Sequence, residues 1–230
     1  MKLSIIIPVF NEAKTIKKIL YLIKKTDIGN IEKEIIIIDD GSTDGTKDIL
    51  KDIGAEYKII FKNKNEGKGS AIKIGFLESS GDILIIQDAD LEYNPNEYSE
   101  LIKPIIDGHA DVVYGSRFSN YKPHRILYFW HFLINKFLTL FSNILTNLTL
   151  SDMETCYKVF NRKSIDLIKN KITAKRFGIE PELTALVAKN KLKIFEVGIS
   201  YFGRAYDEGK KIKWKDGFAA VWHIIKYNLF

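Results

Sequence analysis

The chain has 230 residues, 46 % of them hydrophobic and 28 % charged, with a formal net charge of +6. Those proportions are ordinary for a soluble globular protein and allow one domain with a full apolar core. Cys156 is the single cysteine, which rules out an internal disulfide and a multi-cysteine metal site and suits a reducing compartment.

Residues 2–10 form an Ile/Val-rich run that leads straight into Asn11-Glu12, so they read as a buried strand and not a signal peptide. Further strands are predicted at 34–39, 57–61, 82–87 and 111–114, with helices over 13–25, 44–53, 70–78 and 95–107. Nearly continuous apolar strands belong to a parallel sheet covered on both faces, and their alternation with helices builds βαβ units. The fold class is therefore α/β, a doubly wound and mostly parallel sheet, with residues 1–230 read as one domain.

In such a sheet ligands bind beyond the carboxyl ends of the strands. Every predicted strand ends there in polar or glycine-rich residues: Pro8-Val9-Phe10-Asn11-Glu12, Asp39-Asp40-Gly41-Ser42, Asn65-Glu66-Gly67-Lys68-Gly69, Asp88-Ala89-Asp90 and Gly115-Ser116-Arg117. Asp88 and Asp90 bracket one residue and can both face a cation, and Mg²⁺ or Mn²⁺ takes such oxygens together with phosphate and water. The blander account of that triplet is a turn capping the next helix. Asp39 and Asp40 can accept hydrogen bonds from a base or ribose, while Ser42 or Asp44 caps the helix that follows. The spacing is not that of a Walker A loop, and Gly67-Lys68-Gly69 lacks the third glycine of a dinucleotide fingerprint. Lys68 can still stand near a phosphate, or sit in a simple loop.

From residue 126 to 150 the chain is strongly apolar, yet His131, Asn135, Thr139, Ser142, Thr146 and Thr149 fall on one narrow helical stripe. The wide remaining face calls for burial in a membrane interface, in a dimer, or against the sheet's own core. Lys136 makes a full membrane span costly, at about 2.5–3.5 kcal/mol for a central lysine. Near the C-terminus Trp214, Phe218, Val221, Trp222, Ile225 and Leu229 share a helical face flanked by lysines, which suits a headgroup boundary or simple docking on the core. Segments 122–150 and 212–230 are thus membrane-interface or dimer-contact candidates. No acidic residue occurs between Val112 and Ser151, where Arg117, Lys122, Arg125 and Lys136 are found.

Ile5-Ile6-Ile7-Pro8-Val9-Phe10-Asn11-Glu12, Ile38-Asp39-Asp40-Gly41-Ser42 with Asp44-Gly45-Thr46, and Asp88-Ala89-Asp90-Leu91 together resemble the family 2 glycosyltransferases of the GT-A fold. Gly115-Ser116-Arg117-Phe118 and Asp152-Met153-Glu154-Thr155-Cys156-Tyr157-Lys158 are similar to the polyprenyl-phosphate sugar synthases, the group containing the dolichyl-phosphate mannose synthases. The resemblance implies inverting, metal-dependent transfer of a hexose from a nucleotide-diphosphate sugar to a polyprenyl (dolichyl) phosphate, with Mg²⁺ or Mn²⁺ as cofactor. It places Pro8, Val9, Glu12, Asp39, Asp40, Lys68 and Ala89 at the donor, and Asp88 and Asp90 on the metal and diphosphate. Arg204 and Lys211 resemble a loop that closes over the donor phosphates, and Ser116, Arg117 and Arg125 would receive the acceptor phosphate. Where the mannose synthases read Asp-x-Thr-Ser-Gly-Phe-Arg, this chain departs from Glu154 onward, which leaves GDP-mannose, UDP-glucose and UDP-N-acetylhexosamine all open.

A phosphate acceptor is already anionic and needs no strong general base. A hydroxyl acceptor on a glycan would need one, and Asp152 or Glu154 is the candidate. With Asp90 and Arg117 these two complete the expected catalytic set. A non-catalytic nucleotide-sugar-binding scaffold is the reading from another class, and intact Asp39, Asp40, Asp88, Asp90 and Arg117 argue against it. The expected setting is peripheral, on the cytoplasmic face of a membrane, with a homodimer or membrane-protein partner open and no nucleic acid involved.

Overall fold

Isoleucine-rich runs build the centre of the sheet. In β1 (Lys2–Val9), Leu3, Ile5, Ile6 and Ile7 are fully buried, and the strand pairs in parallel with β2 (Glu32–Asp39) on one side. The computed structural model describes residues 1–119, 122–126, 128–204 and 214–230, without the side chains of Ala55, residues 214–216 and Phe218. Helix α1 (Ile16–Lys25) joins the first two strands, and α2 (Thr46–Asp52) leads to β3 (Lys58–Phe61). Then come α3 (Lys68–Glu78), β4 (Ile83–Ile86), α4 (Tyr98–Ile106) and β5 (Val112–Ser116). All five predicted strands and four predicted helices are present. The helix predicted from residue 13 begins at Ile16, and the one predicted from 95 opens with a short 3-10 turn, Pro95–Glu97. Helix α3 lies close on β1 because Gly75 has no side chain: a Cβ there would meet Ile6 Cγ2 at 2.2 Å.

The second half adds α5 (Phe129–Thr146), β6 (Lys158–Asn161), α6 (Arg162–Ile168), α7 (Ile179–Lys189), β7 (Ile194–Gly198) and α8 (Trp214–Leu229). Strands β6 and β7 were not predicted: Lys158 and Asn161 leave only two apolar residues between them in β6, and Glu196 and Gly198 interrupt β7, so neither shows a continuous apolar run. The described strands form one seven-stranded sheet in the order β3-β2-β1-β4-β6-β5-β7. Every pairing is parallel except those of β6, which runs antiparallel to β4 and β5. The reversal matters for the site. Parallel strands present the loops that follow them at the carboxyl edge, whereas β6 presents the segment that precedes it, Asp152 to Tyr157. Strand β7 delivers Ser200, Tyr201 and Arg204 to the same edge.

Helix α5 is amphipathic in the reverse sense to a surface helix. Its polar stripe faces the protein: Thr139 and Ser142 are buried, and Thr139 Oγ1 accepts from the Met153 amide at 3.2 Å. Asn143 binds both backbone groups of Leu150, at 2.7 and 3.1 Å, and Lys136 Nζ donates to the Ser151 carbonyl. Trp130, Leu133, Phe137, Leu140 and Ile144 are exposed. A small second core of Leu138, Met153, Ala220 and Ile224 ties α5 to α8. The apolar face of residues 126–150 thus remains largely uncovered by the sheet or by other described residues. No described helix is long and apolar enough to cross a membrane.

Candidate active site

The exits of β1 and β2 are laced together by short polar side chains. The Asn11 amide donates to Ser42 Oγ at 2.9 Å, the Glu12 amide to Thr46 Oγ1 at 2.9 Å and the Ala13 amide to Asp44 Oδ2 at 3.1 Å. Pro8 and Val9 line the end of β1 beside them. Asp39 is fully buried, and its Oδ1 has no hydrogen-bond partner among the described residues. A buried acceptor left unpaired is costly and belongs where a ligand completes it. Asp40 does a different job from its neighbour. Its carboxylate takes Lys62 Nζ at 2.5 Å, the Gly67 amide at 2.7 Å and the Glu66 amide at 3.1 Å. It therefore pins the loop before α3. Gly67 needs φ +103°, and a Cβ there would lie 2.5 Å from the Lys175 carbonyl oxygen.

Beyond β4, Ala89 is buried and the two carboxylates flanking it each hold a cation. Lys68 Nζ lies 2.9 Å from Asp88 Oδ1 and 3.1 Å from Glu180 Oε1, so Lys68 bridges β4 to the first turn of α7. Arg204 Nη2 lies 2.8 Å from Asp90 Oδ2 and 3.3 Å from Glu12 Oε1, and Arg204 Nε lies 3.5 Å from Glu92. Burial, then the charges of Asp88 and Glu92, push the Asp90 carboxyl up to about 7 against the pull of Arg204. Carboxylates outnumber cations here. Lys211, expected beside Arg204, lies outside the described residues.

On the far side of β4, Asp152 grips Arg117 with two oxygens: Nε to Oδ2 and Nη2 to Oδ1, both at 2.7 Å, with the Arg117 amide at 3.0 Å. Asp152 is fully buried in this pair, which uses Nε and Nη2 and leaves Nη1 outside it. Ser116 Oγ meets Ser151 Oγ at 2.5 Å, and the exposed Arg125 donates to the Gly203 carbonyl at 2.7 Å. Glu154 sits behind them with Oε1 buried and unpartnered among the described residues. Burial, then the charge of Glu180, raise its carboxyl to about 7, against Lys158 and Arg117. Lys158, fully buried, donates to the carbonyls of Met153 and Thr155, shaping the loop that carries Glu154.

The structure thus gathers Glu12, Asp39, Asp88, Asp90, Arg117, Asp152, Glu154 and Arg204 along one sheet edge. Glu180, Glu92 and Tyr201 join them and were not foreseen. Glu180 carries a buried Oε2 without a hydrogen-bond partner among the described residues, and Tyr201 donates to Glu92 at 2.8 Å. Glu180 lies in Gly178-Ile179-Glu180-Pro181-Glu182, where two acids at the start of an otherwise apolar helix were the available signal.

The chain, with this fold and these carboxylate-rich strand exits, belongs to glycosyl transferase family 2, whose family model matches residues 4–168. It is a glycosyltransferase. Over 243 aligned positions it is 27 % identical to a UDP-N-acetylglucosamine–dolichyl-phosphate N-acetylglucosaminyltransferase of Methanococcus voltae, covering 98 % of this chain and 95 % of that one. The dolichyl-phosphate beta-glucosyltransferase ALG5A of Trichomonas vaginalis is 28 % identical over 99 % of this chain and 73 % of its own length. A dolichol-phosphate mannosyltransferase of Pyrococcus furiosus is 35 % identical over 51 % of this chain and 34 % of its length. Among solved structures, glucosyl-3-phosphoglycerate synthase of Mycobacterium tuberculosis, in complex with Mn²⁺, UDP-glucose and phosphoglyceric acid, superposes with a TM-score of 0.74. It is 19 % identical and covers 98 % of this chain and 79 % of that one, a shared GT-A fold.

Proposed function

We propose that this glycosyltransferase moves a hexose from a nucleotide-diphosphate sugar to the phosphate of a polyprenyl lipid, with inversion, while docked on a membrane surface. The observation that carries the reading is α5, which turns Trp130, Phe137, Leu140 and Ile144 outward within the stretch that follows Ser116, Arg117 and Arg125. The names of the dolichyl-phosphate relatives support the same acceptor.

On the donor side, the unpaired Asp39 oxygen accepts a hydrogen bond from the base or ribose. Among the described residues no group of three or more His, Cys, Asp or Glu side chains can hold a metal alone. Asp88 and Asp90 offer two carboxylates in a site with surplus negative charge, and these two residues would hold Mg²⁺ or Mn²⁺. When bound, the ion supplies Lewis acidity that stabilises charge developing on the leaving diphosphate. Arg204, already at Asp90, is placed to add a guanidinium to the same phosphates. On the acceptor side, Asp152 orients Arg117 so that Nη1 meets the lipid phosphate, with Ser116 and Arg125 nearby. The phosphate oxygen is its own nucleophile, and direct displacement inverts the anomeric centre. The fully buried Asp152 is an orienting group for Arg117.

A second reading, a hydroxyl acceptor, is favoured by the Glu154 carboxyl held near 7, in the range of a general base. A thermal-shift screen of nucleotide sugars with Mn²⁺, followed by transfer to a short polyprenyl phosphate and mass analysis, separates the two. A phosphate-linked hexose whose formation survives Glu154→Gln supports the lipid acceptor. Transfer only to hydroxyl acceptors, lost in that variant, would sink it.

A further inference from the structure

Gln87 follows β4 directly, stands immediately before Asp88 and is fully buried. Its side-chain oxygen accepts two phenolic hydroxyls, from Tyr98 at 2.7 Å and from Tyr157 at 2.8 Å. Tyr98 opens α4 and Tyr157 ends the loop that leads into β6, and both are fully buried. Their rings meet edge to face with centroids 6.0 Å apart, and Tyr93 packs against Tyr157 at 4.9 Å. The Tyr157 carbonyl also accepts the Gly115 amide at 2.8 Å, which fixes this tyrosine from a further side. An apolar residue at 87 would leave both hydroxyls without that acceptor, which accounts for the glutamine oxygen. It does not account for the amide nitrogen. Gln87 Nε2 donates to the Asp88 carbonyl at 2.9 Å, on the peptide that joins Asp88 to Ala89.

We propose that Gln87 is a positioning residue for Asp88 and Asp90, holding the Asp88–Ala89 peptide and with it the spacing of the two acids. This role rests on the metal and diphosphate reading of those acids and adds what keeps them in place. The turn needs holding for two reasons. Leu91, next after Asp90, has φ +67°, a left-handed conformation that a bulky side chain rarely adopts. The charges of Asp88 and Glu92 also crowd Asp90, so repulsion works to splay the turn. A buried hub whose members satisfy one another's hydrogen bonds resists both. Divalent ions are exacting about their oxygen ligands, and a displacement of about 0.5 Å is enough to spoil a site. Gln87 acts through its neighbour's backbone alone, since no part of it is exposed.

Titration calorimetry of the full chain with UDP and with GDP, each with Mn²⁺ and with EDTA, measures the affinity gained from the metal. In the unaltered protein at least one nucleotide should bind more tightly with Mn²⁺. Gln87→Met combined with Tyr98→Phe and Tyr157→Phe removes the whole polar hub while keeping its shape, so the melting temperature should hold. The Mn²⁺ gain should nevertheless fall about tenfold, with metal-free nucleotide affinity unchanged. Tyr157→Phe alone leaves Gln87 the Tyr98 hydroxyl and should reduce the gain about threefold. Tyr114→Phe is the control: it deletes another buried hydroxyl, 3.0 Å from Thr184 Oγ1, and should leave the gain intact. If Gln87 only satisfies its tyrosines, melting temperatures will move and the gain will not. The inference falls if the triple variant and Tyr157→Phe both fold and keep the full gain; should the triple variant not fold, Tyr157→Phe decides alone. A gain absent from the unaltered protein is a different result, since it removes the metal reading itself and the role of Gln87 with it.

Discussion

In β1, Leu3, Ile5, Ile6 and Ile7 are fully buried, whereas in α5 Trp130, Leu133, Phe137, Leu140 and Ile144 stand between 44 and 68 % exposed. Both segments are equally apolar to the eye. The sheet covers its isoleucines with helices on either side and places its polar residues at the strand exits. Helix α5 spends its polar residues inward, on the backbone of Leu150 to Met153, and turns its aromatic residues out. One region hides apolar surface to make a fold; the other displays it. An exposed apolar patch of this extent marks a binding surface. The inward bonds of α5 have a further effect, since they fix the loop that carries Asp152 and so connect the displayed face to the site.

The contrast can be attacked first through the sheet's own buried charge. Asp40→Ala should destabilise the protein by about 3–5 kcal/mol, because Lys62 loses the partner beside it in a buried pair and the loop at Gly67 loses its anchor. A denaturant midpoint checks it, and a loss below about 1 kcal/mol would move Asp40 to a purely ligand-binding role. Asp90→Asn should cut kcat about 10²–10³-fold while the melting temperature holds or rises, since the variant removes a carboxyl crowded by Asp88 and Glu92. Turnover with Mn²⁺ is the measurement, and unchanged turnover would end the metal assignment.

The third comparison is with pH. Glu154 has its carboxyl raised to about 7 by burial and Glu180, above the ordinary value of 4.5. The folded state then holds a proton that the unfolded chain releases, so stability is greatest below about 4.5 on this account and falls as pH rises towards 7. The fall should be about 3 kcal/mol by pH 7, and Glu154→Gln should flatten it in a melting series without ligand. Smallest in stability is Leu140→Glu, on the displayed face: within about 0.5 kcal/mol of the unaltered protein, but with lost sedimentation on anionic vesicles. A large loss of stability would mean that the face is core after all.

Much of the sheet was legible because a doubly covered strand leaves a mark that needs no partner: a continuous apolar run ending in polar residues. That is how the exits carrying Asp39, Asp88 and Ser116 could be put on one edge before any contact was known. Strand β6 could not be read so. Its reversal brings Asp152 and Glu154 to the edge by the loop that precedes a strand, and neither direction nor neighbour is written in four residues. The pairing of Arg117 with Asp152 and the bridge from Lys68 to Glu180 are likewise long-range, joining residues whose meeting depends on strand order.

The α5 segment shows where local pattern ends. Spacings of three and four residues established which side chains share a stripe, and His131, Asn135, Thr139 and Ser142 do share one. Helical period says nothing of which stripe meets the protein, because the same rotation serves a helix facing in or out. That choice belonged to the tertiary structure. The backbone amides and carbonyls of the loop from Leu150 to Met153 needed partners, the polar stripe supplied them, and the aromatic face was left outward.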